Sequence, residues 1–220
     1  MILVIELKNV SKKYDEDSHI VLKDFTFQDG KSYCILGASG CGKSTLLNMI
    51  TGVITADTGE IKIDGDVITD MTQEEKDAYR LKNVGYIFQD FKLMEDMTVL
   101  DNLNILKLGK FKDLQVDEVL DSVGILSKKK NKVKNLSGGE KQRVAIARAL
   151  IKKPRIIIGD EPTGNLNFEN GKKVVDLLMK NAKTTAKNII VVTHDDRLAE
   201  YFDEVIHFED LLKKEDDANV

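Results

Sequence analysis

Gly37-Ala38-Ser39-Gly40-Cys41-Gly42-Lys43-Ser44-Thr45 stands between the apolar run Tyr33-Cys34-Ile35-Leu36 and the stretch Leu46-Leu47-Asn48-Met49-Ile50, which reads as a helix. A G-x-x-x-x-G-K-[ST] pattern in a strand–loop–helix setting is a phosphate loop, and it points to an α/β fold that binds a nucleotide. Its glycines let the chain take φ > 0 and bring bare amides against phosphate oxygens. Lys43 can then reach the β- and γ-phosphates, and the Ser44 hydroxyl is a Mg²⁺ ligand.

Further along, Arg155-Ile156-Ile157-Ile158-Gly159-Asp160-Glu161 is an apolar run without alternation that ends in two carboxylates. Such a run suits a strand buried on both faces of a parallel sheet, whose carboxyl end is where ligands bind. Past a strand's end two neighbours can face one site, so Asp160 is read as a metal ligand and Glu161 as the base that polarises water. Taken alone, an acidic pair there is a helix cap or turn; the phosphate loop upstream reverses that reading.

A third strand, Asn188-Ile189-Ile190-Val191-Val192-Thr193, ends at His194-Asp195. An imidazole there can donate to the γ-phosphate. His19 and His207 carry no comparable context and read as ordinary surface or strand residues. Gln89 follows the strand Gly85-Tyr86-Ile87-Phe88 and can touch the metal or the water through its amide; by itself it would be a polar loop residue. Leu136-Ser137-Gly138-Gly139-Glu140 opens a predicted helix with a second glycine pair, which offers another set of N–H groups to an anion. One chain thus carries two halves of different sites.

The 220 residues, 42% hydrophobic, allow one substantial core and leave no room for a permease as well. A net charge of -4 argues against a nucleic-acid partner. No run approaches the ~20 apolar residues needed to cross a bilayer, and no basic-then-apolar signal opens the chain, so a cytosolic protein that reaches membrane through a partner is expected. Cys34 falls in a buried strand and Cys41 in the phosphate loop, so neither reads as half of a disulfide. Cys41 is either a small loop filler or an alkylation-sensitive thiol.

Ile2 to Leu7, Ile20 to Phe27 and Gly59 to Gly65 read as strands, with a turn at Asp15 to Ser18. From about Phe91 to Leu150 the pattern is helical, including Asp117 to Val123 and Glu140 to Leu150. Lys128-Lys129-Lys130 with Lys132 and Lys134 reads as a solvated loop, and the tail from Lys213 to Val220 as frayed. Phe91, Leu93, Met94 and Met97 either fill the helical segment or face a partner.

Taken together these motifs resemble, over nearly the whole chain and in the same order, the ATP-binding subunit of ATP-binding cassette (ABC) transporters. The resemblance identifies Gly37 to Thr45 with Walker A, Gln89 with the Q-loop, Leu136 to Glu140 with the signature, Ile156 to Asp160 with Walker B, Glu161 with the catalytic base and His194 with the switch histidine. Tyr14 matches the aromatic residue that stacks on adenine. It implies a P-loop NTPase of ABC ATPase type, with a mixed β core, an antiparallel β subdomain and a helical subdomain inserted at about 91–150 in one domain spanning 1–220. It also implies ATP and Mg²⁺ as ligands, and a homodimer in which Ser137 to Gly139 of one subunit close over ATP on Walker A of the other. The partner would be an integral-membrane permease, met at the cytoplasmic face; apolar groups just beyond Gln89 would dock it.

The finer resemblance, carried by Tyr86 to Leu93, Met97 to Leu103 and Asp160 to Leu166, is to the subgroup serving macrolide export, lipoprotein release, antimicrobial-peptide detoxification and cell-division permeases. The chain departs from it at Cys41 (usually serine), Glu140 (usually glutamine) and Asn167 (usually aspartate). The last loses a charge where subunits communicate. A soluble ABC ATPase without a permease, as in iron–sulfur assembly, or a permease-coupled signalling module, is the alternative.

Overall fold

The computed structural model describes residues 3–14, 19–108, 111, 113–184 and 186–213. Its first strand, β1 (Ile5–Lys13), begins later and runs further than the expected Ile2 to Leu7. The Leu3 N–H is drawn to Asp29 Oδ1 at 2.9 Å instead of to a ladder, while the polar Lys8, Asn9 and Lys12 disguise the continuation. The expected strand Ile20 to Phe27 is two strands, β2 (His19–Val21) and β3 (Phe25–Phe27), both antiparallel to β1. The break has a polar cause: Asp24 Oδ1 accepts the Asn9 N–H at 2.8 Å and the Lys23 N–H turns to Leu211 O. The expected turn at Asp15 to Ser18 lies outside the described residues, as does the tail beyond Lys213.

The phosphate-loop strand β4 (Ser32–Leu36) leads to helix α1 (Lys43–Ile50). Strands β5 (Thr58–Ile63) and β6 (Asp66–Val67) complete the antiparallel sheet, in the order β2-β1-β5-β6 with β3 also on β1. Helix α2 (Gln73–Asn83) and strand β7 (Val84–Ile87) follow, then α3 (Val99–Asn104), α4 (Val116–Ser122) and α5 (Gly138–Leu150). The chain closes with β8 (Ile156–Asp160), α6 (Phe168–Ala182), β9 (Asn188–Thr193) and β10 (Glu204–His207). The second sheet has the order β10-β4-β9-β8-β7, parallel throughout.

Alternation along the parallel strands divides the core. Ile157, Ile189, Val191, Cys34 and Leu36 face a cluster shared with α3 to α6. Their neighbours Ile156, Ile158, Ile190, Val192 and Ile35 face the antiparallel sheet and α1. A sheet covered on both faces needs apolar residues at every position, which is why these strands carry no alternation in sequence. Burial pushes the Cys34 thiol up to about 12. The carboxyl ends of β4, β8 and β9 lie side by side, with Leu36 opposite Thr193 and Asp160 opposite Val192.

The lysine run is more tied than a solvated loop. Lys128 pairs with Glu140 at 3.5 Å and Lys134 with Asp96 at 2.8 Å, and Lys129 contacts Asp117. These carboxylates come from segments that only the fold brings near. Among the described residues no helix is long and apolar enough to cross a membrane.

Candidate nucleotide site

The loop between β4 and α1 turns on Gly42, whose φ of 110° puts it where an L side chain is strained; a Cβ there would also stand 2.5 Å from Ile20 Cδ1. Helix α1 opens with no side-chain cap, as does the short α4, whereas α2, α3, α5 and α6 are capped by Thr72, Thr98, Ser137 and Asn167. The first amides of α1 are left to an external acceptor, the condition under which a helix start binds phosphate. Lys43 is buried, its Nζ donating to Gly37 O and Ala38 O at 2.8 Å each and lying 3.6 Å from Glu161 Oε1. The Cys41 Sγ packs against Gly37, where an added Cβ would lie 3.0 Å from it, and Cys41 joins the apolar layer below, as a loop filler would.

Ser44 Oγ donates to Asp160 Oδ1 at 2.9 Å, so the first turn of α1 and the end of β8 meet side chain to side chain. Burial holds the Asp160 carboxyl above the usual carboxylate range, with the Ser44 hydrogen bond pulling it back and the charge of Glu161 adding to the rise. Glu161 leaves the strand with φ 46°, in the left-handed region, its N–H still on Val192 O at 3.0 Å. That conformation lets Asp160 and Glu161 serve the same mouth. Glu161 Oε2 meets His194 Nδ1 at 2.9 Å and its backbone N–H at 3.3 Å. Gln89, Lys43, Ser44, Thr45 and Glu161 line a cavity of about 220 Å³ together with Ser39, Gly40 and Gly42. Tyr14, more than half exposed, reaches Thr45 with its hydroxyl at 3.4 Å.

Ser137 to Glu140 lie elsewhere. They line a polar cavity of about 420 Å³ with Asn165, Leu166 and Asn167, and it shares no residue with the phosphate-loop cavity. Ser137 caps α5: its Oγ accepts the Glu140 N–H at 3.3 Å, while Glu140 Oε2 accepts the Ser137 N–H at 2.8 Å. This bond holds the Glu140 carboxyl below its ordinary range. Glu140 therefore serves the helix start and Lys128; a glutamine would keep the cap with its carbonyl. Asn167 also has local work, its Oδ1 accepting the Asn170 N–H at 3.0 Å as the α6 cap.

Two contacts of the site were not legible in sequence. Asp195 grips Arg197 with a two-oxygen fork at 2.7 and 2.8 Å, which holds the Asp195 carboxyl below its ordinary value, and the guanidinium lies 4.1 Å over the Phe168 ring. Asn165 reaches back to the Gln89 backbone. An i, i+2 acidic–basic pair is a weak signal for the first; nothing local announces the second. Phe91, Leu93, Met94 and Met97 do not line the apolar groove that runs past Phe88. That groove, about 450 Å³, is lined by Val53, Leu81, Tyr86, Phe88 and Leu106 among others, with the cations Arg80, Lys92, Arg148 and Lys152. Leu93 packs inward on the helical cluster, and Met97 is exposed.

Residues 23–164 match the family model described as ABC transporter. Over 217 residues the chain is 37% identical to the lipoprotein-releasing system ATP-binding protein LolD of Pseudoalteromonas translucida, with 94% of each chain covered. Over 209 residues it is 38% identical to the protein of the same name from Psychrobacter arcticus, covering 90% of this chain and 92% of the other. The fold matches the ATP-binding cassette MJ0796, solved as a dimer in a post-hydrolysis state with ADP and Pi, at TM-score 0.79 and 34% identity, with 92% of this chain and 93% of that one covered.

Proposed function

Because this chain belongs to the ABC transporter family, we propose that it is the ATP-binding and ATP-hydrolysing subunit of a transporter, a homodimer around two ATP–Mg²⁺ that drives a separate membrane permease. One observation carries this reading. Lys43, Ser44, Gln89, Asp160, Glu161 and His194, from four distant segments, meet at one mouth, while Ser137 to Gly139 of the same chain line a different cavity.

The open amides of α1 and Lys43 hold the phosphates, and Tyr14 stacks on adenine. Ser44 and Asp160 offer the oxygen donors that suit Mg²⁺, with the Gln89 amide in reach. When bound, the ion neutralises charge on the phosphates. Glu161 accepts a proton from the attacking water, and His194 orients that carboxylate through Nδ1 and stands ready to donate to the γ-phosphate. The set is incomplete without a second copy, whose α5 start supplies further amides and the Ser137 hydroxyl. Residues 1–220 make one cassette domain, with about 91–150 as its inserted helical subdomain. The apolar groove beside Phe88 takes the permease, and the assembly sits at the cytoplasmic face of the membrane. Relatives named for lipoprotein release support extraction or export of a lipoprotein, peptide or antimicrobial.

Glu161→Gln tests the reading, since the amide keeps the shape but cannot act as a base. ATP affinity should persist while turnover falls about a hundred- to ten-thousand-fold, and the variant should collect as an ATP-bound dimer on size exclusion. Near-normal phosphate release would remove Glu161 from its role.

A further inference from the structure

Between Glu161 and the α6 cap, the segment Pro162–Asn167 touches parts of the molecule that are remote in sequence. Asn165 Nδ2 donates to Gln89 O at 2.6 Å. The Gln89 side chain lies across Gly164 so closely that a Cβ there would stand 2.9 Å from Nε2. On the other side, a Cβ on Gly138 would meet Leu166 Cδ2 at 3.5 Å and Asn165 O at 3.9 Å. The segment is also folded back on the catalytic turn, with Gly164 N–H on Glu161 O at 3.0 Å.

The Gln89 loop needs such a tie. It leaves β7, the edge of the parallel sheet, so its strand has ladder bonds on one side only, and Phe91 and Lys92 both take left-handed conformations (φ 60° and 48°). Arg148 holds the far end, donating to Phe91 O at 2.7 Å and to Lys92 O. At the near end the Asn165 carboxamide is the side-chain donor on the Gln89 carbonyl. Asn165 is exposed, so packing does not explain its orientation.

We propose that Asn165 is a positioning residue for ATP hydrolysis: it pins the Gln89 loop to the Glu161 turn, so that the Gln89 amide and the Glu161 carboxylate keep one geometry and the start of α5 is registered to both. The proposal rests on the ATPase reading above.

Asn165→Ala removes the donor, and Asn165→Asp keeps the shape but sets an acceptor against a carbonyl. Steady-state hydrolysis by the full chain should show kcat lowered about three- to tenfold in Asn165→Ala, and at least as much in Asn165→Asp. The KM for ATP should stay within about twofold, because Tyr14, Lys43 and the α1 amides are untouched. In a Gln89→Ala background, where the amide to be positioned is gone, Asn165→Ala should cost clearly less than in the wild type, with only the Glu161 turn left to hold. Multiplicative effects of the two substitutions, an unchanged kcat in Asn165→Asp, or a change confined to KM would each overturn the proposal. If the wild-type chain hydrolyses no ATP, the ATPase reading falls and the proposal with it; if it hydrolyses ATP and the effects multiply, only the role of Asn165 falls.

Discussion

Lys43 illustrates how one side chain is shared between the free and the nucleotide-bound protein. Its ammonium has three N–H groups; two are held by the Gly37 and Ala38 carbonyls and the third faces Glu161. On the proposed reading an arriving phosphate competes first with Glu161 for the last. Lys43→Ala should weaken ATP binding by about 1.5–3 kcal/mol, the worth of a hydrogen bond to a charged group, as measured by calorimetric titration. Tyr14→Ala should weaken it by about 1–3 kcal/mol through lost stacking. The two losses differ in kind: inorganic triphosphate should feel the first and be indifferent to the second. An equal loss for ATP and triphosphate in Tyr14→Ala would end the adenine assignment. Both roles are proposed from the sequence, Lys43 because a motif fixes its neighbours and Tyr14 by resemblance. That of Asn165 was not legible there, because an asparagine after a glycine reads as turn material until the fold sets it beside residue 89.

Among elements, the junction of α2 with the end of α5 carries a part-buried charge. Lys152 donates from Nζ to Arg80 O at 3.1 Å and Leu81 O at 2.7 Å, carbonyls of the last turn of α2, and burial brings its amine down to about 8. The folded state releases this proton more easily than the unfolded chain, whose lysine stays charged up to the ordinary 10.5. Between those values unfolding takes up a proton, so the contribution of Lys152 to stability rises with pH across the window and is flat below it. Relative to Lys152→Met, the wild-type protein should therefore gain roughly 1–2 kcal/mol between pH 7 and pH 9.5, after allowance for partial exposure. Urea unfolding at the two values checks this; a difference independent of pH would mean the amine is not desolvated. Such a junction has no sequence signal, since Lys152 follows a helix in the way solvated lysines usually do. The helix starts are the opposite case: Ser137 and Glu140 stand at the spacing of a capping box and form one.

For the whole molecule the proposed function turns on the chain carrying half of two sites. Gly139 offers a way to test it, because a Cβ there would meet nothing within 4 Å beyond its own helix backbone and chain neighbours, so Gly139→Arg should project outward and obstruct what approaches the α5 start. Lys43→Ala and Gly139→Arg should each be inactive as homodimers. In a mixed dimer both lesions fall in one site, and the other site has an intact Lys43 and an intact Gly139 from opposite chains. ATPase activity should return on mixing, toward half the wild-type level per mixed dimer if one site turns over alone. No recovery in mixed dimers verified by differential tagging, with one intact site shown to be competent in a linked dimer, would count against the composite site. The sequence by itself determined the phosphate loop, the parallel strands and the identity of the carboxylate pair, because these depend on short-range chemistry: φ freedom at glycines, apolar runs, a helix start. What only the tertiary structure decided is which remote groups share a contact. Ser44 with Asp160, His194 with Glu161 and Asn165 with Gln89 are pairs made by the order in which β4, β9, β8 and β7 lie in the sheet. Strand order is set by how buried faces pack across the whole core, and that information is spread over every residue that lines it.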